Sequence, residues 1–367
     1  MIKSKPVRVL VVDDTVVYRK IVSDILADLP QAQVVGTAHN GKAAMARIAS
    51  LKPDLLMLDI EMPEMSGLDV LEQIKSKKID VGAVMLSTLT QEGGAMTMKA
   101  LDLGAFDFIP KPQSGSIEEN KVKIKKILSP MLAAFARSRE IKKILKGNSS
   151  KGGFSGISNA THTSKASLVR KSTKKIKSEI IAIGISTGGP KALAVMMPRL
   201  PEKFGVPIVI VQHMPPVFTK SLAKSLNSKC KIEVREAVNG EPVLANTALI
   251  APGGKQMKIM AGADGKQRVI KITDDPPENS CKPSVDYLFR SVAHHYVGRA
   301  TGVIMTGMGS DGSKGLKLMH RNGAAVIAQD ASSCVVYGMP KEPVESGIVD
   351  VIAPLNKIAD EICKTIR

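Results

Sequence analysis

A serine, a histidine and an aspartate follow three separate apolar runs in the C-terminal half of the chain. Ser186 lies in residues 184–188, a G-x-S-x-G turn of the kind that exposes a hydroxyl between a strand and a helix. His213 follows the next apolar run, and Asp311 lies in a Gly-rich loop after a later one. Such a set can supply a nucleophile, a general base and an acid that orients the base.

The turn around Ser186 has two interpretations when taken alone, because short Gly-rich turns also bind phosphate or carry a serine that caps a helix. His213 favours the nucleophile, since a strand that follows directly in sequence would place a general base beside Ser186. The chain order Ser, His, Asp argues against the α/β-hydrolase fold, in which the order is Ser, Asp, His. Cys281 and Cys334 are the alternative nucleophiles, but neither lies in a comparable turn.

A second group of polar residues follows four of the first five apolar runs: Asp13, Asp14, Asp59, Ser87 and Lys111. In open parallel sheets the carboxyl ends of the strands gather reactive groups at one edge. Three carboxylates there would repel one another unless a hard divalent cation joined them, and oxygen ligands suit Mg²⁺. A carboxylate beside that cation can accept a phosphoryl group, whose charge the metal, a lysine and a hydroxyl neutralise. Helix capping, the alternative, would explain Asp14 alone.

Two α/β domains must position these groups. The N-terminal half contains apolar runs spaced for five βα units, at residues 7–12, 33–38, 54–58, 82–86 and 106–109. The C-terminal half contains further candidate strands at residues 179–184, 207–211, 247–251, 302–305 and 324–328. Residues 256–260 and 268–273 predict an antiparallel hairpin inserted in this second series. The sequence therefore predicts two doubly wound parallel-sheet domains, as expected for a chain of 367 residues.

The connector between the domains carries most of the net charge of +18. From Lys121 to Lys177 the chain has sixteen Lys and Arg residues against one acid, Glu140, so this segment contributes +15. Its first part keeps a helical apolar period with Pro130 as a break or a new start, and residues 147–172 predict a flexible linker. A solvated linker is favoured over a specific nucleic-acid site because no helix-turn-helix or zinc-finger pattern accompanies the charge.

Composition points to a cytosolic protein. The sequence has no apolar run long enough for a transmembrane helix, and its first residues lack the features of a signal peptide. The four cysteines are far apart and show neither metal-ligand spacing nor a disulfide pattern. We therefore expect reduced thiols, a cytoplasmic location and no membrane insertion.

The N-terminal half resembles the receiver domains of bacterial response regulators. The motifs that carry the resemblance are Asp13-Asp14, Leu58-Asp59-Ile60-Glu61-Met62-Pro63, Ser87 and Lys111-Pro112. It implies a flavodoxin-like fold, phosphorylation at Asp59 and a sensor histidine kinase as phosphodonor. It also implies Mg²⁺ bound by Asp13, Asp14, Asp59 and the backbone carbonyl of Glu61. Further implied features are phosphoryl contacts from Ser87 and Lys111, a cis Lys111–Pro112 bond, and Phe108 as an aromatic that reports phosphorylation.

The C-terminal half is similar to the catalytic domain of chemotaxis protein-glutamate methylesterases. Beyond the segments of Ser186, His213 and Asp311, the matching motifs are Asp274-Asp275-Pro276-Pro277, Pro283-Ser284-Val285-Asp286 and Val336-Tyr337-Gly338-Met339-Pro340. The family often has His at the position of Gln256 and Glu at that of Ala331. These departures lie outside the three proposed catalytic residues, so they put substrate contact or loop packing in question.

The two resemblances together imply a regulated enzyme. Residues 1–128 would form the receiver, residues 129–177 a helical and then flexible basic linker, and residues 178–367 a Rossmann-like methylesterase domain that needs no cofactor. The implied reaction is demethylation of glutamate esters on the cytoplasmic helices of chemoreceptors, with glutamine deamidation beside it and the amide of Met308 as oxyanion donor. The alternatives are a serine hydrolase of another sensory system and a non-catalytic response regulator that binds nucleic acid.

Overall fold

The protein, described by a computed structural model over residues 5–112, 115–148, 177–263 and 265–366, contains two parallel β-sheets and an antiparallel hairpin. Both faces of each sheet are covered by apolar side chains, and one of the three core clusters includes residues of both sheets. The predicted fold class is therefore confirmed. None of the helices in these ranges is long and apolar enough to cross a membrane.

The N-terminal sheet has five parallel strands in the order β2-β1-β3-β4-β5, which is the flavodoxin-like order. Its strands are β1 (Val7–Val12), β2 (Ala32–Ala38), β3 (Leu55–Asp59), β4 (Gly82–Ser87) and β5 (Asp107–Pro110). Its first four helices are α1 (Val16–Ala27), α2 (Gly41–Leu51), α3 (Gly67–Ser76) and α4 (Gln91–Leu103). Val9 and Val11 enter the core beneath α1, whereas Leu10 and Val12 enter the core beneath α2 and α3. This alternation explains why the strands are apolar throughout.

Helix α5 (Ile117–Asn148) crosses the predicted end of the first domain at residue 128. It continues through Pro130, so the break expected there is wrong. Phe135, beyond that proline, is buried in the N-terminal core, and Arg139 forms an ion pair of 2.9 Å with Asp54. The boundary predicted at residue 128 therefore falls inside a helix whose next turns still pack on the first sheet. Most of the predicted flexible linker lies outside the described residues.

The C-terminal sheet has seven parallel strands in the order β14-β13-β12-β6-β7-β9-β8. Its strands are β6 (Ile180–Ile185), β7 (Ile208–Gln212), β8 (Glu233–Glu236), β9 (Thr247–Ile250), β12 (Ala300–Ile304), β13 (Ala325–Gln329) and β14 (Val351–Ala353). Its helices are α6 (Gly189–Met196), α7 (Phe218–Asn227), α8 (Val285–His295), α9 (Ser313–Arg321), α10 (Lys341–Glu345) and α11 (Ile358–Ile366), with 3₁₀ turns at Met197–Arg199 and Leu355–Lys357.

The predicted hairpin is present as β10 (Gln256–Ala261) paired with β11 (Arg268–Thr273). The sequence analysis missed two strands, β8 and β14, at the two edges of the C-terminal sheet. β8 reads Glu-Val-Arg-Glu and β14 has three residues, so neither shows the continuous apolar run of a central strand. Edge strands need little apolar sequence because one side of each has no neighbouring strand.

The two domains pack against each other through α4 and β5 of the first and α6 and α7 of the second. The ring of Phe108 on β5 stacks on Phe218 at the start of α7, with centroids 4.7 Å apart. Lys229 and Asp102 form an ion pair of 2.6 Å at the rim of this contact. Apolar side chains of both domains therefore form one continuous core across the interface.

Truncation of Phe135 tests whether the second half of α5 belongs to the N-terminal domain. Its ring packs edge-on against Phe106, with centroids 5.3 Å apart. We expect Phe135→Ala to lower the free energy of unfolding of this domain by about 3 kcal/mol, because it leaves a cavity in the core. Urea denaturation followed by circular dichroism measures the change. Val122→Ala, at a position of the same helix that is 68% exposed, should leave the stability nearly unchanged.

Candidate active site and phosphorylation site

Ser186 and His213 emerge side by side from the C-terminal sheet. Strands β6 and β7 are paired in parallel up to Ile185 opposite Gln212, so the next residues along the strands are Ser186 and His213. The amide of His213 donates to the carbonyl of Ile185 at 3.2 Å, which continues the ladder to this point. The sheet register therefore places the proposed nucleophile and base at the same edge.

The turn after Ser186 is shaped by backbone that only glycine tolerates. Gly188 has φ +74°, and a side chain on Gly189 would collide with the amide group of Gln212. Gln212 is buried, and its Nε2 donates to the carbonyls of Ser186 at 3.0 Å and His213 at 3.2 Å. It thus ties the two turns together. No pattern in the sequence singled out Gln212 for this role.

Asp311 reaches His213 from the loop after β12. Its Oδ2 lies 2.8 Å from Nε2 of His213, and the side chain is nearly fully buried. Four further groups at or just before the start of α8 donate to its carboxylate: the Asn279 amide, the Ser284 hydroxyl and the backbone amides of Val285 and Asp286. Burial opposes ionisation, but His213 and these donors outweigh it and lower the pKa of Asp311 to about 2.

The carboxylate of Asp311 determines which ring nitrogen of His213 carries the hydrogen. An ionised carboxylate can only accept a hydrogen bond, so in the neutral ring Nε2 carries the hydrogen and donates it to Asp311, and Nδ1 keeps the lone pair. Burial disfavours the imidazolium, yet the bonds to Asp311 and Cys281 outweigh it and raise the pKa of His213 to about 9. In the neutral ring, which is the form that can act as a base, the lone pair is therefore on Nδ1, and the Sγ of Cys281 lies 3.8 Å from it.

The loop of Met308 lies against the nucleophile. A Cβ on Gly307 would sit 2.8 Å from Cβ of Ser186, so the backbone of this loop touches the serine directly. The amide of Gly307 donates to the carbonyl of Val336 at 3.0 Å, which anchors the loop to the predicted motif at residues 336–340. Met308 itself is 38% exposed beside this contact. Its role as oxyanion donor stays a prediction.

Three acidic side chains converge at the carboxyl edge of the N-terminal sheet. Oxygens of Asp13, Asp14 and Asp59 lie within 4.8 Å of one another. Nζ of Lys111 bridges Asp13 and Asp59 at 2.7 Å each. Burial, with repulsion from Asp13 and Asp14, raises the pKa of Asp59 to about 6 against the pull of Lys111. One ammonium among three carboxylates leaves negative charge that a divalent cation bound by oxygen ligands would neutralise, so the donor set fits such an ion.

Ser87 ends β4 and Lys111 follows β5 at this same edge of the sheet. The hydroxyl of Ser87 is buried and lies 2.6 Å from that of Thr97 on α4, so it is engaged with α4 in this structure. Its phosphoryl contact and the metal contact of the Glu61 carbonyl stay predictions. The expected cis bond at Lys111–Pro112 is wrong, because the cis peptide bond of the described chain is Lys282–Pro283.

Comparison with known proteins agrees with both halves. Residues 9–120 match the family described as response regulator receiver domain, and residues 181–362 match CheB methylesterase. A protein-glutamate methylesterase/protein-glutamine glutaminase of Desulfotalea psychrophila is 55% identical, with the alignment covering 99% of each chain. The chain belongs to the CheB methylesterase family.

Other members of this family are similar along the whole chain or one domain. The Bacillus subtilis protein of the same name is 42% identical over 98% of this chain and 99% of its own. The crystal structure of the Thermotoga maritima CheB methylesterase catalytic domain superimposes with a TM-score of 0.50 at 40% identity. It covers 52% of this chain and 99% of that one. The N-terminal domain is therefore a receiver domain and the C-terminal domain a methylesterase domain.

Titration of His213 tests the electrostatics of the site. We expect an imidazole midpoint near pH 9 by NMR, assigned by its absence in His213→Gln. Asp311→Asn should lower that midpoint, because it removes the largest of the interactions that favour the cation. Because the pKa of His213 is higher in the folded protein than its usual value of about 6.5, the interaction of His213 with Asp311 contributes to the free energy of unfolding. This contribution is complete below pH 6.5 and is lost as the pH rises through 9. A wild-type midpoint at or below 6.5 would contradict the geometry.

Proposed function

We propose that this chain is a phosphorylation-regulated protein-glutamate methylesterase that also deamidates protein glutamines, for adaptation in chemotaxis. The observation that carries the proposal is the bond of 2.8 Å between His213 and the buried Asp311, with Ser186 beside His213 in the sheet register. The substrates are methylated glutamates on the cytoplasmic helices of chemoreceptors. Their location places the enzyme in the cytoplasm.

Ester hydrolysis proceeds in two halves. Nδ1 of His213 takes the proton of Ser186, and the alkoxide attacks the γ-carbonyl carbon of the methylated glutamate. Backbone amides, that of Met308 among them, stabilise the oxyanion. Methanol leaves with the proton from His213, and a glutamyl-serine ester remains. Water, deprotonated by His213, then attacks this ester and releases glutamate and Ser186. With glutamine as substrate, ammonia leaves in place of methanol.

The receiver site supports regulation by phosphorylation at Asp59. Asp13, Asp14 and Asp59, with the carbonyl of Glu61, would hold Mg²⁺, which neutralises charge on the transferred phosphoryl group. Lys111 would contact that group, because its ammonium already lies between Asp13 and Asp59. A sensor histidine kinase is the phosphodonor.

The receiver reaches the nucleophile turn through Asp107, next to Phe108 on β5. Oδ2 of Asp107 accepts a hydrogen bond of 3.0 Å from the amide of Gly188, two residues after Ser186. Burial raises the pKa of Asp107 to about 6 against the two amides that bond it. The carboxyl group is therefore buried at the contact between the receiver and the methylesterase domain. Packed in this way, the receiver holds the enzyme in a repressed state.

A connection between Asp59 and this contact runs through α4. The hydroxyl of Ser87 bonds Thr97 on α4, and α4 packs directly on α7 of the methylesterase domain. A phosphoryl group on Asp59 would attract the Ser87 hydroxyl and take it from Thr97. The position of α4 would then change, and with it the packing of the receiver on α7. Phosphorylation thus relieves the repression.

Methanol release tests both halves of the proposal. Wild type should release methanol from methylated receptors, and acetyl phosphate with Mg²⁺ should raise the rate. Ser186→Ala should lose at least about 10³-fold of the rate. Asp59→Ala should keep the basal rate and lose the response to acetyl phosphate. Release that survives Ser186→Ala would overturn the mechanism, and a phosphodonor response in Asp59→Ala would overturn the assigned phosphorylation site.

Asp107→Ala tests the contact at Gly188. It removes a buried hydrogen bond to an ionisable group, worth about 1.5–3 kcal/mol, so we expect the unphosphorylated rate to rise about tenfold or more. Asp107→Asn keeps an acceptor oxygen for the Gly188 amide and should stay repressed. Asp102→Ala should have little effect, because its ion pair with Lys229 lies at the exposed rim. Equal rates in all three variants and wild type would exclude Asp107 from the repression.

A further inference from the structure

Cys281 has no part in the hydrolytic mechanism, yet its thiol faces the general base. Its Sγ lies 3.8 Å from Nδ1 of His213 and 3.5 Å from the carbonyl of Asn279. The thiol is free and the residue is partly exposed, so the site can be reached from solvent. A soft sulfur ligand and an imidazole nitrogen thus lie side by side at a partly exposed position.

The spacing of these two atoms suits a tetrahedral soft cation. With Zn–S of about 2.3 Å and Zn–N of about 2.0–2.1 Å, tetrahedral geometry separates the two ligand atoms by about 3.6 Å. The separation of 3.8 Å between Sγ and Nδ1 needs little movement to match it. His213, Cys281 and Asp311 each offer a donor atom, and these atoms lie within 4.8 Å of one another.

Asp311 completes an arrangement that metal-bound histidines commonly have. Histidines that bind a metal through one ring nitrogen usually donate the other N–H to a carboxylate, which orients the ring and raises its basicity. Nε2 of His213 makes this bond to Asp311 at 2.8 Å. The nitrogen that is left for a cation is Nδ1, on the side of Cys281.

The loop of Cys281 is held in place before any cation arrives. Glu278 and Cys281 bond each other backbone to backbone, at 3.1 Å and 2.8 Å. Nε2 of the fully buried Gln256 donates to the carbonyls of Pro276 at 3.1 Å and Cys281 at 3.3 Å. Its Oε1 accepts a hydrogen bond of 2.8 Å from the amide of Ser284. The hydroxyl of Ser284 in turn donates to Asp311, so the loop is connected to the carboxylate that bonds His213. Gln256 therefore holds the backbone of the segment that carries the thiol.

We propose that Cys281 and His213 form an inhibitory site for a soft divalent cation of the Zn²⁺ class, with Asp311 orienting the imidazole. Bound there, the cation occupies the Nδ1 lone pair that must accept the proton of Ser186, so hydrolysis stops. The thiol, and Nδ1 where it is protonated, release their protons to solvent on binding. Mg²⁺ prefers oxygen ligands to sulfur, so it would bind the carboxylates of the receiver and not the site formed by Cys281 and His213. The inhibition rests on the proposed esterase function, whereas the binding does not.

Metal binding by the full-length chain tests the site directly. With excess Mg²⁺ to occupy the receiver, calorimetry should detect a Zn²⁺ site in wild type whose affinity falls at least about tenfold in Cys281→Ser. Co²⁺ should produce a thiolate-to-metal absorption band in wild type that Cys281→Ser lacks. Cys334→Ser, which removes a partly buried thiol of the same domain, should behave as wild type. Absence of the band in wild type, or unchanged Zn²⁺ affinity in Cys281→Ser, would overturn the proposal.

Two measurements separate the site from a folding defect and from the enzymatic activity. On the wild-type chain, Zn²⁺ should slow alkylation of Cys281 by iodoacetamide, followed by peptide mass spectrometry, and equal rates with and without Zn²⁺ would contradict binding. Zn²⁺ should inhibit methanol release by wild type and Cys334→Ser, with recovery on chelation, and should spare Cys281→Ser. Binding without methanol release by any variant would reject the esterase function and leave the cation site standing. Inhibition that persists in Cys281→Ser would reject the site.

Discussion

The buried carboxylate of Asp311 is the group on which the catalytic edge depends. Five donors converge on it: the ring of His213, the side chains of Asn279 and Ser284, and two amides at the start of α8. A buried ion without these partners would carry a large desolvation cost, so the loop after β12 and the start of α8 must stay together. The same contacts hold the carboxylate ionised and the imidazole in one orientation. The contacts that stabilise this edge of the sheet are therefore also the ones that orient the ring of His213.

The receiver site shows the opposite use of charge. Asp13, Asp14 and Asp59 repel one another, and Lys111 compensates only part of their charge. The pKa of Asp59 is raised as a result, and a cation bound between the carboxylates would stabilise their ionised forms. The methylesterase domain thus holds the carboxylate of Asp311 with five hydrogen-bond donors, whereas the receiver domain holds three carboxylates with one ammonium group between two of them.

The two sites are joined by packing that covers a short distance. β5 begins with Asp107, which bonds Gly188 in the turn after Ser186, and ends at Pro110, one residue before Lys111 of the proposed phosphorylation site. Phe108 between them stacks on Phe218 of α7. α4 lies alongside, with Thr97 bonded to Ser87 on its inner face and α7 on its outer face. An interface built from few polar contacts and a shared apolar core suits a switch, because a change in one helix position alters all of them.

The sequence by itself determined the two doubly wound sheets, the hairpin and the residues at their carboxyl edges, since apolar runs buried on both faces and polar residues just after them are local patterns. It did not determine the edge strands β8 and β14, whose short or polar sequences pair only because a sheet is already there. The helix break expected at Pro130 does not occur, because packing of residues such as Phe135 on the receiver core outweighs the local effect of the proline. Only the tertiary structure decided four contacts: those of Asp311 with partners other than His213, those of Gln212 with the two turns, that of Cys281 with His213 and that of Asp107 with Gly188. Each joins segments far apart in the chain, and no spacing within one segment encodes which distant atom it will meet.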